Sequence, residues 1–75
     1  MTHELKILPW YFKAVMSGNK KFEIRKNDRN FKEGDTVILH EWSEDEGFTG
    51  KQITRTIGFL TDFEQKKGFV VFSLI

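Results

Sequence analysis

Apolar and polar residues alternate with a period of two along most of this chain, and only one stretch has the spacing of a helix. Residues 3–8 alternate, residues 10–17 place apolar side chains at helical intervals, and alternation resumes at Lys20. A period of two is typical of a strand with one buried face, whereas a period near 3.6 is typical of a helix. The pattern therefore predicts a small sheet with a helix between its first and second strands.

Turn-forming residues divide the alternating runs into five strands. We expect strands near residues 3–8, 20–25, 36–42, 53–59 and 69–74. Pro9 suits the first turn of the helix, and Gly18 suits the left-handed position that ends it. Gly58 predicts a bulge or bend inside its strand. The fold class is mainly β with one or two short helices (α+β), and the strands favour a small barrel over the alternative, an open α+β sandwich.

The length of 75 residues predicts a single domain over residues 1–75. The chain has no cysteine and no apolar run long enough for a membrane helix, so we expect a soluble, cytoplasmic protein without disulfides. Its eleven aromatic residues, eight Phe, two Trp and one Tyr, are the largest candidates for the core. From the burial preference of Phe, we expect about three quarters of them to be buried.

Charge is unevenly distributed, although the net charge is only +1. Residues 19–32 hold six cations and two carboxylates, a balance of +4, whereas residues 41–46 carry a balance of −4. A basic lobe of this kind can attract phosphate groups. It can equally be a solvated loop, and the charge pattern alone does not separate the two interpretations.

The segment Gly18–Arg25 is the strongest candidate for a site, because it reads Gly-x-Lys-x-x-Glu-x-Arg. Glu23 and Arg25 lie two residues apart on a strand, so their side chains point the same way. Arg25 offers a planar fork for phosphate or carboxylate, and Lys20 offers a compact cation or a base. The alternative is an ion pair on a strand face, which contributes about 0–1 kcal/mol.

Aromatic residues near the basic lobe could stack on nucleobases. Tyr11 and Trp42 are the candidates for such contacts, with core packing as the alternative for each. His3 and His40 are the only histidines, and their positions match no zinc-binding spacing, so we predict no metal and no cofactor.

The Gly18–Arg25 motif, placed after a short aromatic helix and before Gly34-Asp35, resembles the ASCH domain of the PUA-like superfamily. The longer runs 3–6, 22–29 and 68–71 resemble a small uncharacterised branch of ASCH-related domains in bacteria and phages. The resemblance implies a small β-barrel with a cleft beside the helix that binds RNA or a nucleotide-like ligand. It also implies the residues that line or extend this cleft: Lys20, Glu23, Arg25, Lys26 and Arg29.

The same resemblance raises the question of catalysis. A few ASCH relatives are amidohydrolases that remove an acetyl group from a modified cytidine, and they use a Lys, a Thr three residues later and a distant Glu. Lys20 matches the Lys, but Glu23 stands at the Thr position, and a carboxylate is a different nucleophile from a hydroxyl. The expected function is therefore binding. The alternatives are an amidohydrolase that uses Lys20 and Glu23, and a protein-interaction module that uses the acidic loop 43–50.

Overall fold

The computed structural model describes residues 1–75, which form five strands and one helix of eight residues. The elements are β1 (Thr2–Ile7), α1 (Pro9–Met16), β2 (Phe22–Lys26), β3 (Thr36–Ser43), β4 (Gly47–Thr61) and β5 (Phe69–Leu74). The sheet has the spatial order β1-β3-β4-β5-β2, in which β1 is parallel to β3 and the other neighbours are antiparallel. The expected mainly β domain with one short helix is confirmed.

The first strand and the helix follow from the local sequence. Alternate residues of β1 point into the interior, where Leu5 is buried, and Pro9 takes the first position of α1. Phe12 and Val15 are the buried residues of the helix, and Gly18 ends it with a φ of 81°. Two parallel neighbours need a crossover connection, which α1 and β2 provide between β1 and β3.

No helix has the length and apolar character to cross a membrane.

The core is mostly aliphatic, although the sequence is rich in aromatic residues. Twelve apolar side chains form one buried cluster, and only three of them are aromatic, namely Phe12, Phe31 and Phe72. Six other aromatic side chains are exposed: Trp10, Tyr11, Phe22, Phe48, Phe59 and Phe63. The expectation that about three quarters would be buried is wrong, because aliphatic residues from four strands already fill the interior of so small a domain.

The long strand β4 bends at Gly58, as the sequence predicts. The register between β4 and β5 shifts between Ile57 and Leu60, in the manner of a β-bulge. The shift turns Phe59 outward, where it is 70% exposed, and lets Leu60 pack against the core. A Cβ atom at Gly58 would collide with the Oγ of Ser73, so a side chain there would have to displace this hydroxyl group.

The sheet does not close into the predicted barrel, because its edge strands β1 and β2 are not paired with each other. Two guanidinium groups bridge the gap instead. Arg25 Nη2 donates to the carbonyl oxygen of Lys6 at 2.7 Å, and Arg29 Nη1 donates to that of Glu4 at 2.7 Å. The result is an open mixed sheet in which side chains from the β2 side contact the backbone of β1.

The acidic segment expected to be a loop over residues 43–50 is mostly strand. β3 extends to Ser43 and β4 begins at Gly47, so the turn consists of residues 44–46. Trp42 pairs with Phe48 across this turn. The acidic side chains of residues 44–46 are exposed on a tight hairpin and not on a long loop.

Candidate functional site

A cleft of about 510 Å³ lies between the edge strands β1 and β2, with Tyr11 of α1 on its wall. We call it the β1–β2 cleft. Lys20, Glu23 and Arg25 of the predicted motif line it together, and six of its eleven lining residues are hydrophobic. Pockets for small organic ligands have volumes of roughly 300–1,000 Å³ and combine apolar walls with a few polar groups. The cleft has both properties.

Strand β2 is oriented in the opposite way from an ordinary amphipathic strand. Glu23 is 4% exposed, whereas the apolar residues on either side of it, Phe22 and Ile24, are 45% and 51% exposed. Alternation normally buries the apolar set of residues. A buried carboxylate is costly unless it is paired and hydrogen-bonded, so this orientation depends on the partners that Glu23 finds inside the cleft.

Both oxygens of the Glu23 carboxylate are paired with cations. Lys20 Nζ contacts Oε1 and also donates to the carbonyl oxygen of Phe22 at 2.6 Å. Arg25 Nε donates to Oε2 at 2.7 Å, while its Nη2 donates to Lys6. Lys20 and Arg25 thus keep few donors for a ligand, chiefly the Nη1 of Arg25. The three groups carry a net charge of +1 at pH 7, with the negative charge on the most buried of them.

Two exposed aromatic rings flank Lys20. Its Nζ lies 4.8 Å from the ring centre of Phe22 and 5.6 Å from that of Tyr11. Tyr11 is 47% exposed and lines the cleft, while its neighbour Trp10 does not. An ammonium group near an aromatic face is electrostatically favourable. Both side chains are nearly half exposed beside Lys20, and this exposed surface is available for a planar ligand that enters the cleft.

The remaining predicted site residues are divided between the cleft and its surroundings. Lys26 lines the cleft, whereas Arg29 and Trp42 do not. Trp42 is half-buried, and the Nζ of Lys6 lies 4.4 Å from the centre of its ring. The structure therefore brings five of the seven predicted residues together in the cleft. Trp42 lies outside it, in contact with Lys6.

Arg29 belongs to a second cavity of about 530 Å³, which we call the Arg29 cavity. It shares Lys6 and Arg25 with the β1–β2 cleft, so the two cavities adjoin. Besides these, its lining includes three side chains that sequence reasoning did not assign to a site: Glu4, His40 and Phe48. Alternation places Glu4 and Lys6 on one face of β1, but no local signal indicates that this face lies beside Arg29.

His3 lies outside both cavities, in a buried pair with Asp35. Its Nε2 donates to the Asp35 carboxylate at 2.8 Å, and its ring packs edge-on against Phe31. This hydrogen bond is the main cause that lowers the pKa of Asp35; burial opposes it, and the N-terminal ammonium of Met1 and the Lys32 amide reinforce it. No group of three His, Asp or Glu side chains comes together in the way a metal site requires.

Comparison with known proteins gives a family. The family model described as "Domain of unknown function (DUF3850)" matches residues 2–74. The chain is also similar to the "Uncharacterized 12.9 kDa protein in GpA 3'region" of Escherichia phage P2, with 47% identity over 60 residues. That alignment covers 80% of this chain and 54% of the phage protein, so the chain spans about half the length of this curated relative. Because the family match includes all five strands and both cavities, the chain belongs to the DUF3850 family.

Proposed function

We propose that this domain binds RNA, or a nucleotide-like ligand, in the β1–β2 cleft, and that it is of the ASCH type within the PUA-like superfamily. The observation that carries the proposal is the buried Glu23 carboxylate, held by Lys20 and Arg25 in a cleft with exposed aromatic rings. The resemblance of the Gly18–Arg25 motif to the ASCH domain favours the same class of ligand. The +4 balance over residues 19–32 favours a polyanion.

The interior of the cleft suits a nucleobase better than a phosphate group. Lys20 and Arg25 direct most of their donors to Glu23 and to backbone carbonyl groups. Each oxygen of Glu23 retains a second lone pair, which can accept a hydrogen bond from the exocyclic amino group of a base. The rings of Tyr11 and Phe22 offer stacking faces, and a stacked base contributes about 1–3 kcal/mol.

The phosphate backbone of the ligand would then lie outside the group formed by Lys20, Glu23 and Arg25, along the exposed cations. Lys26 is exposed and lines the cleft, and it comes directly after Arg25 on β2. In this arrangement Glu23 selects bases that carry an amino group, and the basic lobe supplies attraction that does not depend on sequence. Affinity should therefore fall as the salt concentration rises.

The test is fluorescence anisotropy with labelled single-stranded and hairpin RNAs at low salt. Tyr11→Ala should weaken binding about 5- to 150-fold if the ring stacks on a base. Trp10→Ala is the matched control, because Trp10 is the adjacent exposed aromatic residue and does not line the cleft. Absence of binding across varied RNAs at low salt, or equal losses in the two variants, would contradict the proposal.

The contact between Lys20 and Glu23 favours a second candidate, hydrolysis of an amide on a modified nucleoside. A lysine next to a carboxylate in a partly buried cleft is a possible proton-transfer pair. This candidate predicts that acetylated cytidine is turned over, that Lys20→Ala abolishes turnover, and that Lys21→Ala, which removes the adjacent exposed cation, preserves it. Intact substrate at high enzyme concentration would rule it out.

A further inference from the structure

The Arg29 cavity concentrates positive charge beside the β1–β2 cleft, with which it shares Lys6 and Arg25. Its lining holds the cations Lys6, Arg25 and Arg29 and a single carboxylate, that of Glu4, together with the imidazole of His40. Glu23 already balances part of the charge of Arg25 from the neighbouring cleft. The cavity still has an excess of positive charge, which a bound anion would balance.

Backbone carbonyl groups of β1 orient both guanidinium groups, and Arg25 is also paired with the carboxylate of Glu23. Arg29 Nη1 donates to the carbonyl oxygen of Glu4, and Arg25 Nη2 donates to that of Lys6, both at 2.7 Å. The closest carboxylate to Arg29 is that of Asp28, 4.0 Å from Nε and 65% exposed. A neutral acceptor fixes the orientation of a guanidinium group without offsetting its charge. The charge of Arg29 is therefore offset only by the exposed Asp28, whereas that of Arg25 is partly balanced by Glu23.

His40 supplies a further donor to the same cavity. Its Nε2 lies 2.8 Å from a carboxylate oxygen of Glu4, which can only accept, so Nε2 carries a proton. The Glu4 side chain is 68% exposed and free to move into solvent, whereas that of His40 is 26% exposed. Phe48 packs edge-on against the imidazole, with ring centres 6.0 Å apart. An anion could replace Glu4 as the acceptor of this N–H group.

We propose that the Arg29 cavity is a binding site for a phosphate group, with Arg29, His40 and Lys6 as its ligating residues. A purely mechanical role, in which the guanidinium groups only fasten β1 to the β2 side, explains Arg25 and Arg29. It does not involve His40 and Lys6, which line the same cavity and are held there by the Glu4 carboxylate and the Trp42 ring. Arginine forks, imidazole N–H groups and ammonium groups are the donors that bind phosphate in proteins.

The position of the Arg29 cavity also indicates the direction in which a bound nucleotide would extend, an inference that rests on the proposed function. Lys6 and Arg25 line both cavities, so a nucleotide with its base beside Glu23 would extend past Arg25 and place a phosphate near Arg29. Base recognition and phosphate recognition would then occur on opposite sides of one guanidinium group. Nucleoside phosphates should accordingly bind more tightly than the corresponding nucleosides.

The first experiment is a titration of the 15N-labelled domain with inorganic phosphate, followed by NMR. Saturable shifts at residues 4–6, Arg29 and His40 are expected in the wild type. Arg29→Gln should abolish them, because glutamine is polar but uncharged and too short to place a donor where Nη1 lies. Lys32→Ala, which removes an exposed cation that lines neither cavity, should leave them unchanged. Absence of saturable shifts, or shifts that persist in Arg29→Gln, would overturn the phosphate site.

The second experiment separates this inference from the proposed function. RNA affinity is measured against salt concentration for the wild type, Arg29→Gln and the control Lys66→Ala, which removes an exposed cation outside residues 19–32 and outside both cavities. Loss of one phosphate contact should lower the slope of log affinity against log salt by about one in Arg29→Gln. An unchanged slope with intact RNA binding would overturn the phosphate site and leave the proposed function standing. Phosphate binding without any RNA binding would support the site and reject the proposed function.

Discussion

Replacing Glu23 by alanine tests whether the cleft depends on its buried carboxylate. The Glu23 side chain is 6% exposed, and those of its partners Lys20 and Arg25 are 15% and 25% exposed. Removing one member of a buried ion pair costs about 3–5 kcal/mol, because the other charge stays buried without compensation. Here the two cations keep their bonds to backbone carbonyl groups and some contact with water. We therefore expect the free energy of unfolding to fall by about 2–4 kcal/mol.

Urea denaturation followed by circular dichroism measures this loss. Glu44→Ala is the control, since Glu44 lies in the exposed turn between β3 and β4, and its change should stay within about 0.5 kcal/mol. A double-mutant cycle with Arg25→Ala should give a coupling energy of about 1–3 kcal/mol. If Glu23→Ala costs less than about 1 kcal/mol, or if the two substitutions are additive, the carboxylate does not organise the cleft.

Two further predictions concern the sheet and the N-terminal pair. Gly58→Ala should lower the free energy of unfolding by about 1–3 kcal/mol, because its Cβ collides with the Oγ of Ser73. In urea denaturation, the double variant with Ser73→Ala should lose less stability than the sum of the two single losses. Additive losses would contradict the collision. The lowered pKa of Asp35 means that its ionised form favours the folded state, so its contribution is complete above the ordinary carboxyl pKa of 3.8 and is lost as the pH falls below it. Asp35→Asn should therefore show a smaller fall in stability than the wild type between about pH 4 and pH 2, and equal falls in acid denaturation would contradict this assignment.

The sequence predicts the elements well, because their signals are local. Pro9 and Gly18 mark the two ends of the helix, and both act through their own backbone geometry. Gly58 marks the bend in β4, although the contact that disfavours a side chain there is with Ser73, which is distant in the sequence. The common direction of Glu23 and Arg25 also follows from spacing, since residues two apart on a strand share a face. The position of Lys20 does not, because Lys20 precedes β2 and lies three residues from Glu23.

The orientation of β2 cannot be predicted in this way. Alternation shows that Glu23 and Arg25 share a face, but it does not show which face is buried, and the usual rule would bury Phe22 and Ile24. Their exposure depends on Lys20 and on the carbonyl group of Lys6, which is distant in the sequence. Long-range partners of this kind decide the orientation, so the local pattern is not sufficient.

Two physical reasons explain why more aromatic residues are exposed than the sequence predicts. The bulge in β4 changes the alternation between Ile57 and Leu60, so Phe59 lies on the outer face although its spacing from Ile57 predicts the inner one. Tyr11 and Phe22 are exposed because the interior is already filled and because the cleft lies beside them. An excess of aromatic residues over the capacity of a small core is therefore a signal for binding surfaces.

The gap between the unpaired edge strands β1 and β2 connects the fold to the candidate function. Had these edges paired, the carbonyl groups of Glu4 and Lys6 would have accepted backbone N–H groups, and the β1–β2 cleft would not exist. Because they do not pair, the same carbonyl groups orient Arg25 and Arg29. Arg25 uses one nitrogen on Glu23 and another on β1, so the group that holds the carboxylate also bridges the sheet. A ligand that draws Arg25 away from the carbonyl group of Lys6 would break a contact between the β1 and β2 sides, whereas a ligand that binds beside Arg25 would leave this contact intact. The free Nη1 of Arg25 favours the second mode, in which the ligand adds a partner to a guanidinium group that the fold has already fixed.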